Sequence, residues 1–152
     1  AVTVPAGAWL VVYNLGIQGG ADAYEGATLA THNRRAATAA ASTNTVSITS
    51  TARLPYDSPA RRFHVVQQPV TYRCDLTSGE LTRIWNYGFN PAQANPAGGA
   101  AAVLADQVTG CSLEYSALSV ARRAGSVLVA LQLTGNNETV SMTMQAHVSN
   151  VP

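Results

Sequence analysis

Lysine is absent from this chain, whose nine basic residues are all arginine, and eight acids leave a formal net charge of +1. Charged residues make up only 11% of the 152 positions, against roughly 25% in ordinary soluble domains. Contact with water therefore falls to Ser, Thr, Asn and Gln. The arginines come as separate doublets, Arg34/Arg35, Arg61/Arg62 and Arg122/Arg123, not as the concentrated stripe that follows a phosphate backbone, so no nucleic-acid partner is expected. Long apolar runs are missing as well. The longest, Ala97–Ala105, falls far short of the roughly 20 residues a spanning helix needs. No signal peptide is visible and the chain opens without methionine, from which the expectation is that an upstream segment has been removed. Cysteine is nearly absent: Cys74 and Cys111 stand alone, in neither C-x-x-C nor Cys/His metal spacing. There is no G-x-S-x-G turn, no internal repeat and no linker, and the length suits a single domain over 1–152.

What is present is alternation. Val70, Tyr72, Cys74 and Leu76 alternate with Thr71, Arg73 and Asp75, the period of a strand with one buried face. Thr77–Gly79 supplies turn chemistry before a second strand, Leu81–Tyr87, so the pair reads as a β-hairpin. In that reading the Cys74 thiol points into the core with Val70 and Tyr72. Ala8–Leu15 is nearly continuous in apolar residues, as a strand covered on both faces would be. Thr45–Thr51 alternates, Leu54–Pro59 is a turn, and residues 16–44 hold no period, with Ala36–Ala41 a helical turn or plain loop. Residues 88–99 read as a surface loop and Ala100–Gln107 as a brief helix. Strands are expected at Cys111–Tyr115, Ser126–Leu133 and Val140–Val148, the last two joined as a hairpin by Gly135, Asn136 and Asn137. The total is about seven or eight mostly antiparallel strands with little helix, a mainly β chain.

Few of these residues point to chemistry. Two cysteines separated by residues 75–110 suit one structural disulfide, which would contribute roughly 4 kcal/mol in the chain-entropy model and would place the protein in an oxidising compartment; the alternative is two buried free thiols. His32, His64 and His147 are scattered, and His147 falls on the polar side of its strand. No nucleophile stands beside a base and an orienting group, so no catalytic residue is nominated, no enzyme is expected and no cofactor is implied. Asp22 and Glu25, in a glycine-bounded loop, are candidates for a calcium site, with solvated acids as the plainer reading. Asn137-Glu138-Thr139 matches the glycosylation acceptor pattern. Trp85, Tyr87 and Phe89, with Trp9, form a candidate aromatic platform for sugar, with core packing as the commoner use.

The segments RFHVVQQPVTYRCD, LTRIWNYGF, LADQVTGCSLEYS, VARRAGSVLVALQLT and VSMTMQAHVSNVP, in that order, resemble the C-terminal head of minor pilins of the MshO type, from mannose-sensitive haemagglutinin pilus systems. That group is similar in turn to the J-type minor pseudopilins of type II secretion. The resemblance covers residues 54–152 well and 1–53 loosely, and Cys74 and Cys111 match the positions of the family's disulfide. It implies a pilin-like head, α+β in the full-length protein, with the N-terminal anchoring helix absent here. It also implies insertion in the inner membrane facing the periplasm before assembly, then a place on a surface pilus beside other minor pilins and the major pilin. The function expected from it is assembly through protein–protein contacts; the alternative, a tip adhesin binding a glycan or other surface ligand, is motivated by the aromatic set near the Trp85 hairpin and the 88–99 loop.

Overall fold

Ten strands make up the regular structure of the computed structural model, which describes residues 4–15, 21–24, 32–39, 44–49, 52–89, 96, 98–115 and 124–149. The protein is all-β among these residues, and every ladder is antiparallel. The chain divides into two compact units, one built from residues 1–68 and 89–94, the other from 69–88 and 95–151.

In the first unit β1 (Trp9–Val11) lies inside a four-stranded sheet of order β3-β2-β1-β4, with β2 (Arg34–Ala39), β3 (Val46–Ile48) and β4 (His64–Val66). The apolar run around Trp9 takes this inner place because both its faces can be covered: Ala8, Leu10 and Val11 are buried, Val11 to 2% exposure. The expected strand at Ala8–Leu15 forms over three residues, and Thr45–Thr51 contributes β3. β2 departs from the expectation that 16–44 is irregular, with Ala36–Ala41 a helical turn or loop. Alanine has little preference for a strand. The segment is extended because β1 and β3 offer ladder partners on its two sides, Trp9 opposite Ala36 and Ile48 opposite Ala37, and tertiary pairing outweighs local preference.

The second unit holds two three-stranded sheets. One has the order β5-β6-β7, with β5 (Thr71–Asp75), β6 (Glu80–Trp85) and β7 (Ala100–Ala105). The expected hairpin is β5–β6, in register from Thr71 opposite Ile84 to Asp75 opposite Glu80. Asp75 fastens its turn: one carboxylate oxygen accepts the Thr77 and Ser78 amides at 2.9 and 3.3 Å, and these two bonds hold the carboxyl below the usual carboxylate range. The brief helix expected at Ala100–Gln107 is instead β7, paired along β6 from Trp85 opposite Ala100 to Leu81 opposite Ala105, with an irregularity beside Leu81. Ala100–Ala105 carries no strand signal of its own, and β6 imposes the conformation. Gly99 allows the approach, since a Cβ there would run into the Trp85 carbonyl oxygen.

The other sheet has the order β10-β9-β8, with β8 (Val108–Tyr115), β9 (Ala124–Gly135) and β10 (Glu138–Ser149). The chain enters it through Gln107, at φ 57. There the Val108 amide donates to the Gly79 carbonyl at 2.9 Å and the Thr134 amide to the Gln107 carbonyl at 3.0 Å. The three strands expected here form, each longer than its alternation alone marks out. The β9–β10 hairpin runs unbroken from Gly135 opposite Glu138 to Ala124 opposite Ser149.

Candidate functional site

Residues directly opposite one another in a ladder share a face. Across β8, β9 and β10 this aligns Cys111, Leu131 and Met142, and next to them Leu113, Val129 and Met144. Val140 and Leu133 extend the row. One side of this sheet is therefore apolar over its whole width. Leu131 within it is buried, but Val140, Met142 and Met144 are 63%, 48% and 54% exposed and Leu113 is exposed too. The opposite side is mainly polar, with Leu128 its exposed apolar exception. Thr109, Thr134 and Thr139 join hydroxyls across it at 2.9 and 3.0 Å, and the Gln132 amide donates to Ser141 at 3.4 Å. Among the described residues, every side chain of β10 from Glu138 to Ala146 is exposed.

Cys111 stands at the β8 border of the apolar side. Cys74, on β5, lies close to it, and both thiols are half-buried. Partial desolvation, then the contact with Cys111 and the nearby Asp75 charge, push the Cys74 thiol up to about 11. The thiols are unjoined and adjacent. The core-facing role expected for Cys74 needs correction, because the buried side chains of β6, Thr82 and Ile84, lie opposite Arg73 and Thr71. Cys74 and Tyr72 occupy the other face, opposite Leu81 and Arg83, and Tyr72 is exposed.

The aromatic candidates belong to different surroundings. Trp85 is half-buried with the Arg83 guanidinium 4.9 Å from its ring centre, and the Tyr87 hydroxyl bonds Thr71 at 2.8 Å. Both are in the second unit. Phe89 belongs to the first. There the Arg34 guanidinium lies 3.7 Å from the Phe89 ring and 4.8 Å from Trp9, while Trp9 and Tyr24 meet Phe89 edge-on at 6.0 and 6.1 Å. Arg34 is 3% exposed and donates to the Ala23 carbonyl at 2.6 Å. Burial lowers its pKa, and the Asp22 carboxylate acts in the opposite sense. Arg35, equally buried, donates to the carbonyls of His32, Arg34 and Arg53, the last two at 2.9 and 3.1 Å, and contacts the His32 ring at 2.7 Å. It thereby fastens β2 to the segment that leads into β4. Nothing in the sequence signals this. His32-Asn33-Arg34-Arg35 is buried without any period, and arginine is ordinarily a surface residue.

Asp22 accepts the Tyr24 amide at 2.9 Å, and Glu25 lies outside the described residues. Among the described residues no three His, Cys, Asp or Glu side chains come together as metal ligands. His64 is exposed; the side chain of His147 lies outside the described set. Asn137 is exposed in the β9–β10 turn. The first unit also bears a groove of about 520 Å³ whose lining includes Leu10, Val46, Ile48, Tyr56 and Phe63, with Arg62 among its polar residues. Among the described residues no helix is long and apolar enough to cross a membrane. No family model, curated protein or solved structure matches this chain.

Proposed function

We propose that this protein is the head of a type IV minor pilin and acts in filament assembly through protein–protein contacts. The observation that carries the reading is the apolar side of the β8–β10 sheet, with Leu113, Val140, Met142 and Met144 exposed in a chain with very few charges. Contiguous apolar surface of this kind marks a site of association. A minor pilin supplies a cover for it, the amphipathic half of the apolar helix that the resemblance implies. The segments resembling MshO-type minor pilins include β5, β6, β8, β9 and β10, so the wording and the surface fall in the same part of the molecule. A disulfide between Cys74 and Cys111 fits the same reading, since the two thiols lie close together and assembly takes place where oxidation is permitted.

The test is made with the full-length protein in its host. Co-purification with neighbouring minor pilins is expected, together with a fall in the number of surface pili when the protein is deleted. Substituting Met142 and Met144 with serine should lower pilus number without lowering the amount of protein. Normal piliation in the deletion strain would overturn the proposal.

A further inference from the structure

The outer edge of β10 carries an inference independent of the pilin reading. Asn136 and Asn137, the two residues between Gly135 and Glu138, have φ 51 and 63, the signature of a type I′ turn. A two-residue turn of this type makes Gly135 and Glu138 a hydrogen-bonded pair, and the pairs then alternate along the ladder. Val140, Met142 and Met144 spend their amides and carbonyls on β9. Thr139, Ser141, Thr143 and Gln145 aim theirs away from it, toward a side where no strand lies among the described residues.

Edge strands in folded proteins are ordinarily blunted by charge, proline, a bulge or shortness. β10 has none of these: it is 12 residues long, its ladder with β9 has no register shift, and residues 139–149 contain no Asp, Glu, Lys, Arg or Pro. The other edge of the sheet differs. β8 has a register shift between Val108 and Gly110, carries Glu114, and gives its first amide to Gly79.

We infer that β10 pairs antiparallel with β10 of a second copy of this chain, making one six-stranded sheet. The sequence of the edge is its own complement. A two-fold axis through Thr143 brings Ser141 opposite Gln145 of the second copy, so outward-aimed backbone groups meet outward-aimed groups. It also brings Met142 beside the second Met144, and Val140 beside the second Ala146. Such an axis stands perpendicular to the sheet, so both apolar sides fall on the same side and the exposed methionines cover one another across the join. No like charges oppose, which a homotypic pairing requires. The blunted β8 edges end the assembly at two copies, as a closed pair and not a fibre.

Sedimentation velocity of the 152-residue chain from roughly 5 to 500 µM, the range suited to a small interface, tests this. The mass is expected to rise with concentration from one chain of 15.8 kDa toward two. Thr143→Pro removes an amide that β9 does not use, a position where proline is tolerated, and Thr143→Lys sets two charges directly opposite at the axis. Both should weaken pairing at least tenfold, whereas Ser112→Lys on β8 should leave it unchanged. Hydrogen exchange needs no variant: the amides of Ser141, Thr143 and Gln145 should gain protection as concentration rises, while those of Met142 and Met144 stay protected throughout. A single-chain mass at the highest concentration, or undiminished pairing in Thr143→Pro, would overturn the inference.

Discussion

Arg34 shows how one side chain can be polar in chemistry and structural in use. Its guanidinium is held by two rings and one carbonyl, so its value lies in filling the space between Trp9 and Phe89 as much as in its charge. Replacement by methionine keeps the volume and removes a buried charge, and should cost no more than about 1 kcal/mol. Replacement by alanine leaves a cavity between the rings and should cost about 2–4 kcal/mol. Urea denaturation followed by tryptophan fluorescence separates the two. The thiol pair makes a second expectation at this scale. In the reduced protein the Cys74 pKa, about 11, lies above the usual cysteine value near 8.5, so the unfolded chain gives up its proton first. The stabilisation is complete below the unfolded value and drains away as pH rises toward 11. Oxidised glutathione, accepting the two electrons and two protons of the thiols, should join Cys74 to Cys111 and abolish that loss. The bond should also add up to roughly 4 kcal/mol in the chain-entropy model. Denaturation midpoints of both redox forms between pH 8 and 11 provide the measurement.

At the scale of elements, the β9–β10 hairpin places a demand on its turn. Asn136 and Asn137 both sit at positive φ, which asparagine tolerates and glycine accepts freely. Asn137→Gly is therefore expected to raise stability by a few tenths to about 1 kcal/mol, and the double change to alanine to lower it by about 1–2 kcal/mol, read from urea midpoints. This hairpin was also the most legible part of the chain, because Val140 to Val148 alternates without a break and Gly135-Asn136-Asn137 marks the turn. The β5–β6 hairpin was legible for the same reason, although its buried face was misplaced. Alternation locates a strand, but Tyr72 and Ile84 are both plausible core residues, and only the register decides between them. β2 and β7 were illegible. Arg34–Ala39 and Ala100–Ala105 are rich in alanine, which fits either period, and both are extended because a neighbour pairs with them. That Cys74 and Cys111 lie near each other was readable from scarcity alone, and the apolar row of Val140, Met142 and Met144 from its period. The buried arginines carried no sequence signal.

For the molecule as a whole, sparse charge is the governing quantity. With a net charge of +1 and an isoelectric point near 8.1, little repulsion keeps copies apart at neutral pH. Light scattering across pH 5 to 10 should find colloidal stability lowest close to pH 8, the isoelectric point, and recovering on the acid side as net positive charge grows.

The path of the chain sets a limit on how the protein can be taken apart. Its first unit ends at residue 68 yet takes back 89–94, and Phe89 from that returning stretch is the ring 3.7 Å from the Arg34 guanidinium. A gene cut after residue 68 would yield a piece whose arginine is stripped of one of its two aromatic walls. Dissection into halves thus has no clean place to fall, and a faithful minimal version of the first unit must splice the Phe89 stretch back onto it.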